Sequence, residues 1–591
     1  MSHPVRRCPP EARAVQPERF PMPDLPTPPG SLADILHRLQ GLPGLPDTRR
    51  RDLASAVRRV AALLDAPPED LPASLGALRP RLNRLLPAAH GLSAKTWHNL
   101  RSNLAAAIRA TVPPGTRRRP GASPAWRQLR ELLPDKRMRN GLSRLLTWCE
   151  REGLQPDQVS DAVADRFARA LVAGTLVADP QDLHRRACRL WNEATAIPGW
   201  PQVVLALPDH RKPRATLPAS ALPESFRQDL DHHLAWLSGQ DRFADRPPPS
   251  VCKPRTVELR RRLVLLAASA LVAGGATPDR LAGLADLVGV DAFKTILRHY
   301  VRAGEPASAF AHSLAAALVA VAEHWVRVPS EHLAALRGLR HRLGKARLGL
   351  TPKNRATLRE LSDPAIRHRL LALPRQLVAE AEAGRLAAPR AALRFQLGLA
   401  IELLLHAPVR MGNLTGLRLE RNLVRPGGRR GLWHLILAGE EVKNGAPQEY
   451  ELPADTTRLL DRYLARFRPL LEPGESRFLF VAQGGRPKSQ TTLSQQLTGL
   501  IRDRVGVRMT PHQFRHFAAK LLLEHSPGAF AAAGQLLGHR NTQTTVAFYA
   551  GVDTLTAGRH FDGILAAERA RVADARPGRA RRGAAGRERG A

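Results

Sequence analysis

Apolar residues recur every three or four positions along most of this chain, which is the spacing that places them on one face of an α-helix. The pattern starts at SLADILHRLQ, where Ser31 and Asp34 have the spacing of an N-terminal capping box. Two proline-rich stretches interrupt it, at 112–124 and 245–255, and both are predicted linkers. The pattern therefore predicts three helical regions, at 31–112, 125–240 and 256–350.

Two of these regions contain similar segments. GLQPDQVSDAVADRFARAL at 153–171 resembles GATPDRLAGLADLVGVDAFKTIL at 275–297, since each has a Pro-Asp pair that is predicted to open a helix, followed by a phenylalanine. Distant internal repeats explain this likeness, and so does chance in a chain rich in alanine, leucine and arginine. The ends of the chain are predicted to be disordered, because residues 1–30 are rich in proline and residues 569–591 hold eight arginines against two acids.

The pattern changes towards the C-terminus, where the convincing strands occur. The segment LWHLILAGEEVKNGAPQEYELP at 432–453 predicts two antiparallel strands, joined at Asn444-Gly445 by a tight type I′ turn. Lys443 stands directly before that turn, so the prediction places its amine at the hairpin tip. The predicted fold is mainly α-helical with a small antiparallel β-sheet, in which helical domains precede an α+β domain at 365–560.

The composition indicates several domains and an anionic partner. The 591 residues exceed what one hydrophobic core accommodates, and 90 Lys and Arg against 53 Asp and Glu give a formal net charge of +37. Only ten of those basic residues are lysines, so the arginine excess also reflects a bias toward GC-rich codons. The charge is therefore support for a nucleic-acid partner rather than proof of one.

Neither a cofactor nor a membrane segment is indicated. The four cysteines have no regular spacing, which argues against a zinc site and a disulfide framework. The N-terminus lacks the apolar core of a signal peptide, and the apolar run at 263–276 is too short to cross a bilayer. We therefore expect a cytoplasmic bacterial protein, associated with the nucleoid, that binds no cofactor.

An arginine stands at a predicted helix junction. In LLLHAPVRMGNLTGLRL an apolar helix is predicted to end at Pro408, and Arg410 follows. A guanidinium buried at such a junction needs an anion or a carboxylate. Taken alone, Arg410 is as well explained as a surface arginine, and Lys443 as a solvated turn lysine.

A histidine and an arginine lie near the start of a predicted helix in RMTPHQFRHFAAKLLLEHS. Thr510 is the predicted N-cap and Pro511 the first helical residue, so His512 and Arg515 share one face near the positive helix end, which suits an oxyanion. His516 lies on the same side, one turn from His512, a spacing that also allows a zinc pair. However, no glutamate follows the first histidine, and two further ligands are missing.

The stretch LLGHRNTQTTVAFYAG holds one of only four tyrosines in the chain. Gly538 is predicted to close a helix, and His539 follows it. Asn541 or Thr542 is predicted to cap a short helix that carries Tyr549. Considered alone, Tyr549 is explained as well by half-buried packing, with its hydroxyl at the surface.

Taken in this order, the residues resemble the active site of the tyrosine recombinases, the phage-integrase family. The resemblance covers roughly residues 365–560 and rests on TPHQFRH, LLGH and the downstream tyrosine. Many members have Gly-x-Arg at the first arginine and an acidic residue three places later, whereas here Val409 precedes the arginine and Asn413 follows it. The resemblance implies catalytic roles for Arg410, Lys443, His512, Arg515, His539 and Tyr549.

The resemblance also implies a reaction. The two arginines would clamp the oxygens of a DNA phosphate, and His539 would add a further donor. His512 would accept the phenol proton, and Lys443 would protonate the leaving 5′-oxygen. The product would be a 3′-phosphotyrosyl link to Tyr549, which a different 5′-hydroxyl can attack.

The implied partners are double-stranded DNA, three further copies of the chain in a homotetramer on paired DNA sites, and possible accessory proteins, with no membrane and no metal. The region 256–350 stands where such enzymes keep the domain that binds the core site, and 125–240 is a possible further DNA-binding domain.

A topoisomerase or telomere resolvase with the same chemistry is an alternative. So is a DNA-binding regulator that has lost catalysis, or a metal-dependent nuclease, although no acidic cluster supports the nuclease. The intact residue set favours an active site-specific recombinase.

Overall fold

The structure is a computed structural model that describes residues 29–111, 123–209 and 216–574, apart from residues 242, 244, 345–348, 473 and 475. Within these residues helices dominate and the strands form one three-stranded antiparallel sheet, so the predicted fold class is confirmed. The chain divides into two compact units, residues 1–209 and 210–591. The predicted tail at 1–30 and the predicted linker at 112–124 lie almost wholly outside the described residues.

The first compact unit contains two helical modules, each with a hydrophobic core of its own. The first module consists of α1 (Leu32–Gln40), α2 (Asp47–Leu63), α3 (Leu75–Arg84) and α4 (Ala94–Thr111). The second module consists of α5 (Pro124–Leu132), α6 (Lys136–Arg151), α7 (Asp161–Gly174) and α8 (Pro180–Ala194). The predicted capping box is confirmed, since the Asp34 N–H donates to the Ser31 hydroxyl and the Ser31 N–H donates to the Asp34 carboxylate.

The second compact unit begins with a third helical module around its own core. It consists of α9 (Glu224–Leu237), α10 (Pro254–Ala273), α11 (Val290–Tyr300), α12 (Ala309–Ala320), a π-helical continuation (Val321–Val326) and α13 (Ser330–His341). The predicted boundary at residue 240 does not separate two cores, because Phe226 and Leu230 of α9 are buried with residues of α10. The proline-rich stretch at 245–255 is a loop inside this module, where the Cys252 N–H donates to the Leu237 carbonyl at 2.8 Å.

One order of elements recurs in all three modules. Two helices precede a 3-10 turn that a proline opens, and a buried aliphatic residue and a further helix follow. The N–H of the aliphatic residue donates to the proline carbonyl in each module, at 3.3 Å for Leu71, 3.4 Å for Val159 and 3.0 Å for Leu281. The three turns are Pro68–Asp70, Pro156–Gln158 and Pro278–Arg280.

This recurrence favours internal repeats over chance for the similar segments at 153–171 and 275–297. Their phenylalanines, Phe167 and Phe293, are buried in equivalent helices. The Pro-Asp pairs open 3-10 turns rather than α-helices, which corrects the prediction. The turn of the first module has no following phenylalanine, so this third copy does not stand out in the sequence.

The remainder of the second unit is a C-terminal domain whose core runs from Leu350 to Tyr549. Helix α16 (Ala388–His406) lies at its centre, with Phe395, Leu399 and Leu403 fully buried. Helix α14 (Pro352–Glu360) also buries Leu358 in this core, so the domain begins before the predicted residue 365. Its helices are α14 (Pro352–Glu360), α15 (Pro364–Glu382), α16 (Ala388–His406), α17 (Met411–Gly416), α18 (Leu419–Asn422), α19 (Ala454–Arg462), α20 (Gln490–Val505), α21 (Gln513–His525), α22 (Phe530–Leu536) and α23 (Thr542–Asp574).

The small sheet follows α18 in the chain and has the order β1-β2-β3. Its strands are β1 (Leu423–Val424), β2 (His434–Leu437) and β3 (Gln448–Glu451). Strands β2 and β3 pair antiparallel, with His434 opposite Glu451 and Leu437 opposite Gln448. Leu435 and Leu437 point into the core of the C-terminal domain, so one face of the sheet is buried.

The predicted hairpin is present, but its predicted type I′ turn is wrong. Residues 438–447 form a wide connection that includes a 3-10 turn at Gly439–Glu441. A type I′ turn needs positive φ at both central residues, and of the pair Asn444-Gly445 only the glycine has one, at 71°. Lys443 therefore lies within a broad loop rather than at a tight tip.

Helix α23 is longer than predicted. It has 33 residues, so Tyr549 lies near the start of a long helix instead of on a short one. The predicted cap at Asn541 is confirmed, because its side chain accepts from the Gln543 N–H at 2.8 Å. Residues 569–574 are helical, which contradicts the disorder predicted for them, and 575–591 lie outside the described residues.

One stretch of the described residues, Ala309–Val326, is long and apolar enough by composition to cross a membrane. It comprises α12 and the π-helical continuation. Its Leu314 and Leu318 are fully or almost fully buried in the core of the third module. Packing within that module accounts for its apolar composition.

Replacing Phe395 by alanine should destabilise the C-terminal domain alone. The Phe395 ring is fully buried and stacks on Phe467 with 4.3 Å between ring centroids. Its loss should lower the free energy of unfolding by about 3–5 kcal/mol, while the three modules keep theirs because their cores are separate. Hydrogen exchange measured segment by segment checks this, with Phe243→Ala as control at a side chain that is 94% exposed. An equal loss of protection in all four cores would contradict their independence.

Candidate active site

Arg410 lies where the buried helix α16 gives way to α17. It occupies the N-cap of α17 with extended backbone angles, φ −69° and ψ 148°. Its Nη1 atom is buried and has no hydrogen-bond partner among the described residues. Burial lowers the pKa of Arg410, and the neighbour that opposes this is the Tyr450 phenol rather than a carboxylate. A buried guanidinium nitrogen without a partner indicates a place for an external anion.

Arg515 supplies a second buried guanidinium, 3% exposed, on α21. Its Nη1 donates to the Pro408 carbonyl at 2.7 Å, and its Nη2 donates to the Leu537 carbonyl at 2.5 Å. Burial, followed by the charge of Arg410, lowers the pKa of Arg515 to about 10. The repulsion means that the two guanidiniums are neighbours, so two positive charges share one pocket.

The helix that carries His512 starts later than predicted. Helix α21 begins at Gln513 with His512 at its N-cap, so Thr510 and Pro511 precede the helix. The Gln513 side chain folds back, and its Oε1 accepts from the Thr510 N–H at 2.7 Å. This contact ties down the segment before the helix, which explains why Thr510 does not cap it. The Arg515 N–H donates to the His512 carbonyl at 3.3 Å, so the two residues remain one turn apart.

His512 borders the two arginines, with the rest of its surface open to solvent. Partial burial, followed by the charges of Arg515 and Arg410, lowers the pKa of His512. Its imidazole is therefore neutral near pH 7 and available to accept a proton.

The hydroxyl of Tyr549 contacts His516 and not His512, to which the sequence assigned that role. Tyr549 is 2% exposed, and its oxygen lies 2.7 Å from the His516 Nδ1 atom. The His512 ring is the next one along, with 5.2 Å between its centroid and that of His516. Burial raises the pKa of Tyr549, and the charge of Arg515 opposes this. Burial, an imidazole and a positive charge together distinguish Tyr549 from an ordinary packing residue.

His539 reaches the same pocket from the turn after α22. Gly538 ends that helix in the left-handed region, with φ 59°. The His539 Nδ1 atom lies 2.9 Å from the Thr545 hydroxyl. Burial, followed by the charges of Arg515 and Arg410, lowers the pKa of His539. The structure therefore groups His539 with the two arginines.

Lys443 stays at the edge of the pocket. Its side chain is exposed and, in the described part of the chain, forms no hydrogen bond or ion pair with the other predicted residues. The loop that carries it is fastened from two directions. The Asn444 side chain donates to the Gly538 carbonyl, and the Lys253 ammonium donates to the Val442 carbonyl at 3.4 Å. The position of Lys443 thus depends on a loop held beside His539 and by the third module.

The zinc alternative finds no support. In the described chain no group of three or more His, Cys, Asp or Glu side chains is placed to hold a metal. The two nitrogens of His516 face Tyr549 and Asn354, so neither points at a site shared with His512.

A family model described as the phage integrase family matches residues 375–555, a span that includes both arginines, the three histidines and Tyr549. The chain contains a phage integrase family domain. This integrase domain comprises most of the C-terminal domain, from α15 to the first part of α23. None of the curated proteins matches the sequence.

Three solved structures illustrate the likeness of the chain to known integrases and recombinases. A lambda integrase dimer bound to a COC′ core site has a TM-score of 0.33 and 16% identity, covering 64% of this chain and 89% of that chain. The XerH recombinase in a pre-cleavage complex with difH has a TM-score of 0.27 and 16% identity, covering 54% of this chain and 92% of that chain. The Tn1549 transposon integrase with transposon right-end DNA has a TM-score of 0.33 and 16% identity, covering 56% of this chain and 99% of that chain.

Two residues of the integrase domain that the sequence analysis did not assign to the catalytic set lie in its pocket. His516 had a usable signal, because it stands one helical turn after His512. Tyr450 had none, since it comes from strand β3, far from the other residues in sequence. Its hydroxyl donates to the Leu536 carbonyl at 2.9 Å, and its phenol neighbours Arg515 and Arg410.

Asn413 occupies the position where many relatives have an acidic residue. Its Nδ2 atom donates to the Glu441 carbonyl at 3.2 Å, within the loop that carries Lys443. In the integrase domain Asn413 therefore supports that loop instead of pairing with an arginine.

Proposed function

We propose that the protein is a site-specific DNA recombinase that cleaves and rejoins DNA through a phosphotyrosyl link on Tyr549. The observation that carries this proposal is the buried Tyr549 hydroxyl beside Arg515, in a pocket where Arg410 keeps a buried nitrogen without a partner. A phenol that only packs needs no such pocket. Attack on a phosphodiester needs a nucleophile and fixed positive charge in one place.

The two guanidiniums stabilise the charge that develops at phosphorus. Attack on a phosphodiester places extra negative charge on the non-bridging oxygens. Arg410 has a nitrogen free to bind one of them, and Arg515 is held rigidly by two carbonyls, so it need not reorganise. His539 adds a further donor from the turn after α22.

The proton transfers balance as follows. The Tyr549 oxygen bonds to phosphorus, its proton passes to the neutral imidazole of His512, and the bond from phosphorus to the 5′-oxygen breaks. Lys443 gives a proton to that oxygen, which leaves as a 5′-hydroxyl. The reverse sequence with a different 5′-hydroxyl rejoins the strand and frees Tyr549. The chemistry uses only side chains of this chain and the DNA.

The partners that this function requires are double-stranded DNA and further copies of the chain in a homotetramer. The net charge of +37 suits a DNA partner. Self-assembly is supported by an apolar stripe on α23, where Phe561, Ile564 and Leu565 are 61%, 47% and 36% exposed at helical spacing. The same proposal includes binding of accessory proteins, an origin in a mobile genetic element, and a location on the nucleoid in the bacterial cytoplasm.

A topoisomerase or telomere resolvase would use the same residues without joining two sites. A regulator of the same fold would bind DNA and have no use for the Tyr549 hydroxyl. The nearness of that hydroxyl to Arg515 and His516 favours catalysis over silent binding.

A covalent trap tests the proposal. The full chain is incubated in EDTA with nicked genomic DNA, complexes that resist SDS are captured, and the attached DNA ends are sequenced. We expect adducts on 3′ ends at one clustered sequence, with the nucleotide on the peptide that contains Tyr549. Attachment to a 5′ end or to another residue, or sequence-specific binding that never yields an adduct, would overturn the proposal.

A further inference from the structure

A chain of side-chain hydrogen bonds leads from the backbone to the ring of His516. It begins at the Thr510 N–H, which is a donor and nothing else. This N–H donates to the Gln513 Oε1 atom at 2.7 Å, so the amide nitrogen of Gln513 must face the other way. That nitrogen donates to the Asn354 Oδ1 atom at 3.2 Å. Both amide orientations are thus fixed by a backbone group.

The next bond determines which nitrogen of His516 carries the proton. With its oxygen occupied, Asn354 turns its Nδ2 atom to the His516 Nε2 atom at 3.3 Å. An amide NH₂ only donates, so Nε2 must accept. Burial, followed by the charges of His512, Arg515 and His539, lowers the pKa of His516 to about 4, so the ring is neutral near pH 7. A neutral ring whose Nε2 accepts carries its hydrogen on Nδ1.

We propose that His516 is a positioning residue that donates its Nδ1–H to the oxygen of Tyr549, and that Asn354 and Gln513 lock it in the tautomer that does so. The observed separation of 2.7 Å between these two atoms is the last bond of the chain. The inference extends the proposed function, since its kinetic consequence requires that Tyr549 be the nucleophile.

The direction of this bond excludes His516 as the base that removes the phenol proton. A donor facing the oxygen leaves the phenol hydrogen free to point elsewhere. The hydrogen bond from His516 also strengthens as negative charge develops on the Tyr549 oxygen. This lowers the pKa of the phenol and opposes burial, which raises it. The bond therefore makes the phenol more acidic and keeps the attacking oxygen in one place.

The chain of bonds joins three elements, because Asn354 lies on α14, Gln513 and His516 on α21, and Tyr549 on α23. Asn354 precedes residues 375–555, so it lies outside the span that the family model matches. Gln513 and His516 are 2% and 5% exposed, which shields these bonds from competing water. Docking of α14 is thereby linked to the acidity of the nucleophile.

The first test measures the acidity of residue 549 in the full chain without DNA. Difluorotyrosine, whose phenol is far more acidic than that of tyrosine, replaces Tyr549, and the fluorine NMR shift is followed against pH. His516→Asn keeps an amide donor, and His516→Leu removes the donor. We expect the asparagine variant to titrate near the parent and the leucine variant to be roughly 10- to 100-fold less acidic. Equal behaviour of the two variants would overturn the inference.

A second variant tests the hydrogen bond from Asn354 that fixes the His516 tautomer, and leaves His516 itself in place. Asn354→Leu removes the bond to Nε2 without adding charge, so the ring can reverse its tautomer. We expect a fall in acidity smaller than that in His516→Leu. Unchanged acidity would mean that Asn354 does not set the tautomer.

Adduct rates separate the inference from the proposed function. If His516 donates, His516→Asn should keep most of the adduct rate and His516→Leu should lose about tenfold or more. If His516 were a base, both variants would lose the rate equally, and the pH profile would follow its titration. If the acidity shifts appear but no variant, including the parent, forms an adduct, the proposed function fails and the hydrogen-bond assignment stands.

Discussion

Tyr549→Phe is expected to fold and to bind DNA but to form no covalent adduct. The substitution keeps the buried ring and its packing and removes only the hydroxyl, which contacts His516. The free energy of unfolding should fall by about 1–3 kcal/mol, because the His516 Nδ1–H loses its partner. The adduct yield should fall by at least about 1,000-fold, since a phenylalanine offers no oxygen to phosphorus.

Tyr300→Phe is the matched control for this experiment. It makes the same chemical change in the third module, where the Tyr300 hydroxyl donates to the Leu266 carbonyl at 3.0 Å. Its adduct yield should equal that of the parent chain, at a similar small cost in stability. Both variants are compared by SDS-resistant capture and by band shift on the same DNA. Adducts that persist in Tyr549→Phe would place the nucleophile elsewhere.

Arg410→Ala and Arg515→Ala should both lower the rate of adduct formation, by about 100- to 1,000-fold, but only the second should weaken the fold. Arg410 has a buried nitrogen that no residue of the described chain satisfies, so its removal breaks no bond of that nitrogen and relieves the repulsion on Arg515. Arg515 bonds two buried carbonyls, those of Pro408 and Leu537, and alanine would leave both unpaired. We therefore expect a loss of about 2–4 kcal/mol in the unfolding free energy for Arg515→Ala and almost none for Arg410→Ala.

Single-turnover adduct formation and denaturant unfolding, each measured on both variants, check this pair. Arg410→Lys adds a further comparison, because a single ammonium replaces the forked donor and should recover only part of the rate. If Arg410→Ala destabilised the chain as much as Arg515→Ala, Arg410 would be a structural residue. Its unpartnered nitrogen would then have another explanation.

Features with a local cause were readable from the sequence. The capping box at Ser31, the cap at Asn541 and the predominance of helix follow from residues close together in the chain. The order of the six predicted catalytic residues along the last 200 positions was also readable from the sequence, because each lies within two residues of a proline, a glycine or a helix start. These signals act through backbone geometry within one or two turns.

What the sequence did not convey depends on contacts between distant segments. The contact with the Tyr549 hydroxyl that was expected of His512 is made by His516, because packing of α23 presents the phenol to the His516 ring. Asn354 and Tyr450 reach the pocket only because α14 and β3 pack beside it, and the sequence does not show that packing. The end of α23 was placed too early because a basic composition was taken as a sign of disorder, whereas arginine and alanine are both good helix formers.

The separation of the hydrophobic cores has a consequence during translation. All the buried residues of the first module's core are present once Ile108 has been added, whereas the pocket needs residues from Arg410 to Tyr549. At roughly 5–20 residues per second, on the order of a minute passes between those two moments. The modules can therefore fold one after another on the ribosome, and the proposed nucleophile is added after all of them. A chain interrupted between His341 and Tyr549 would emerge with its three helical modules complete and without the residue that we propose attacks DNA.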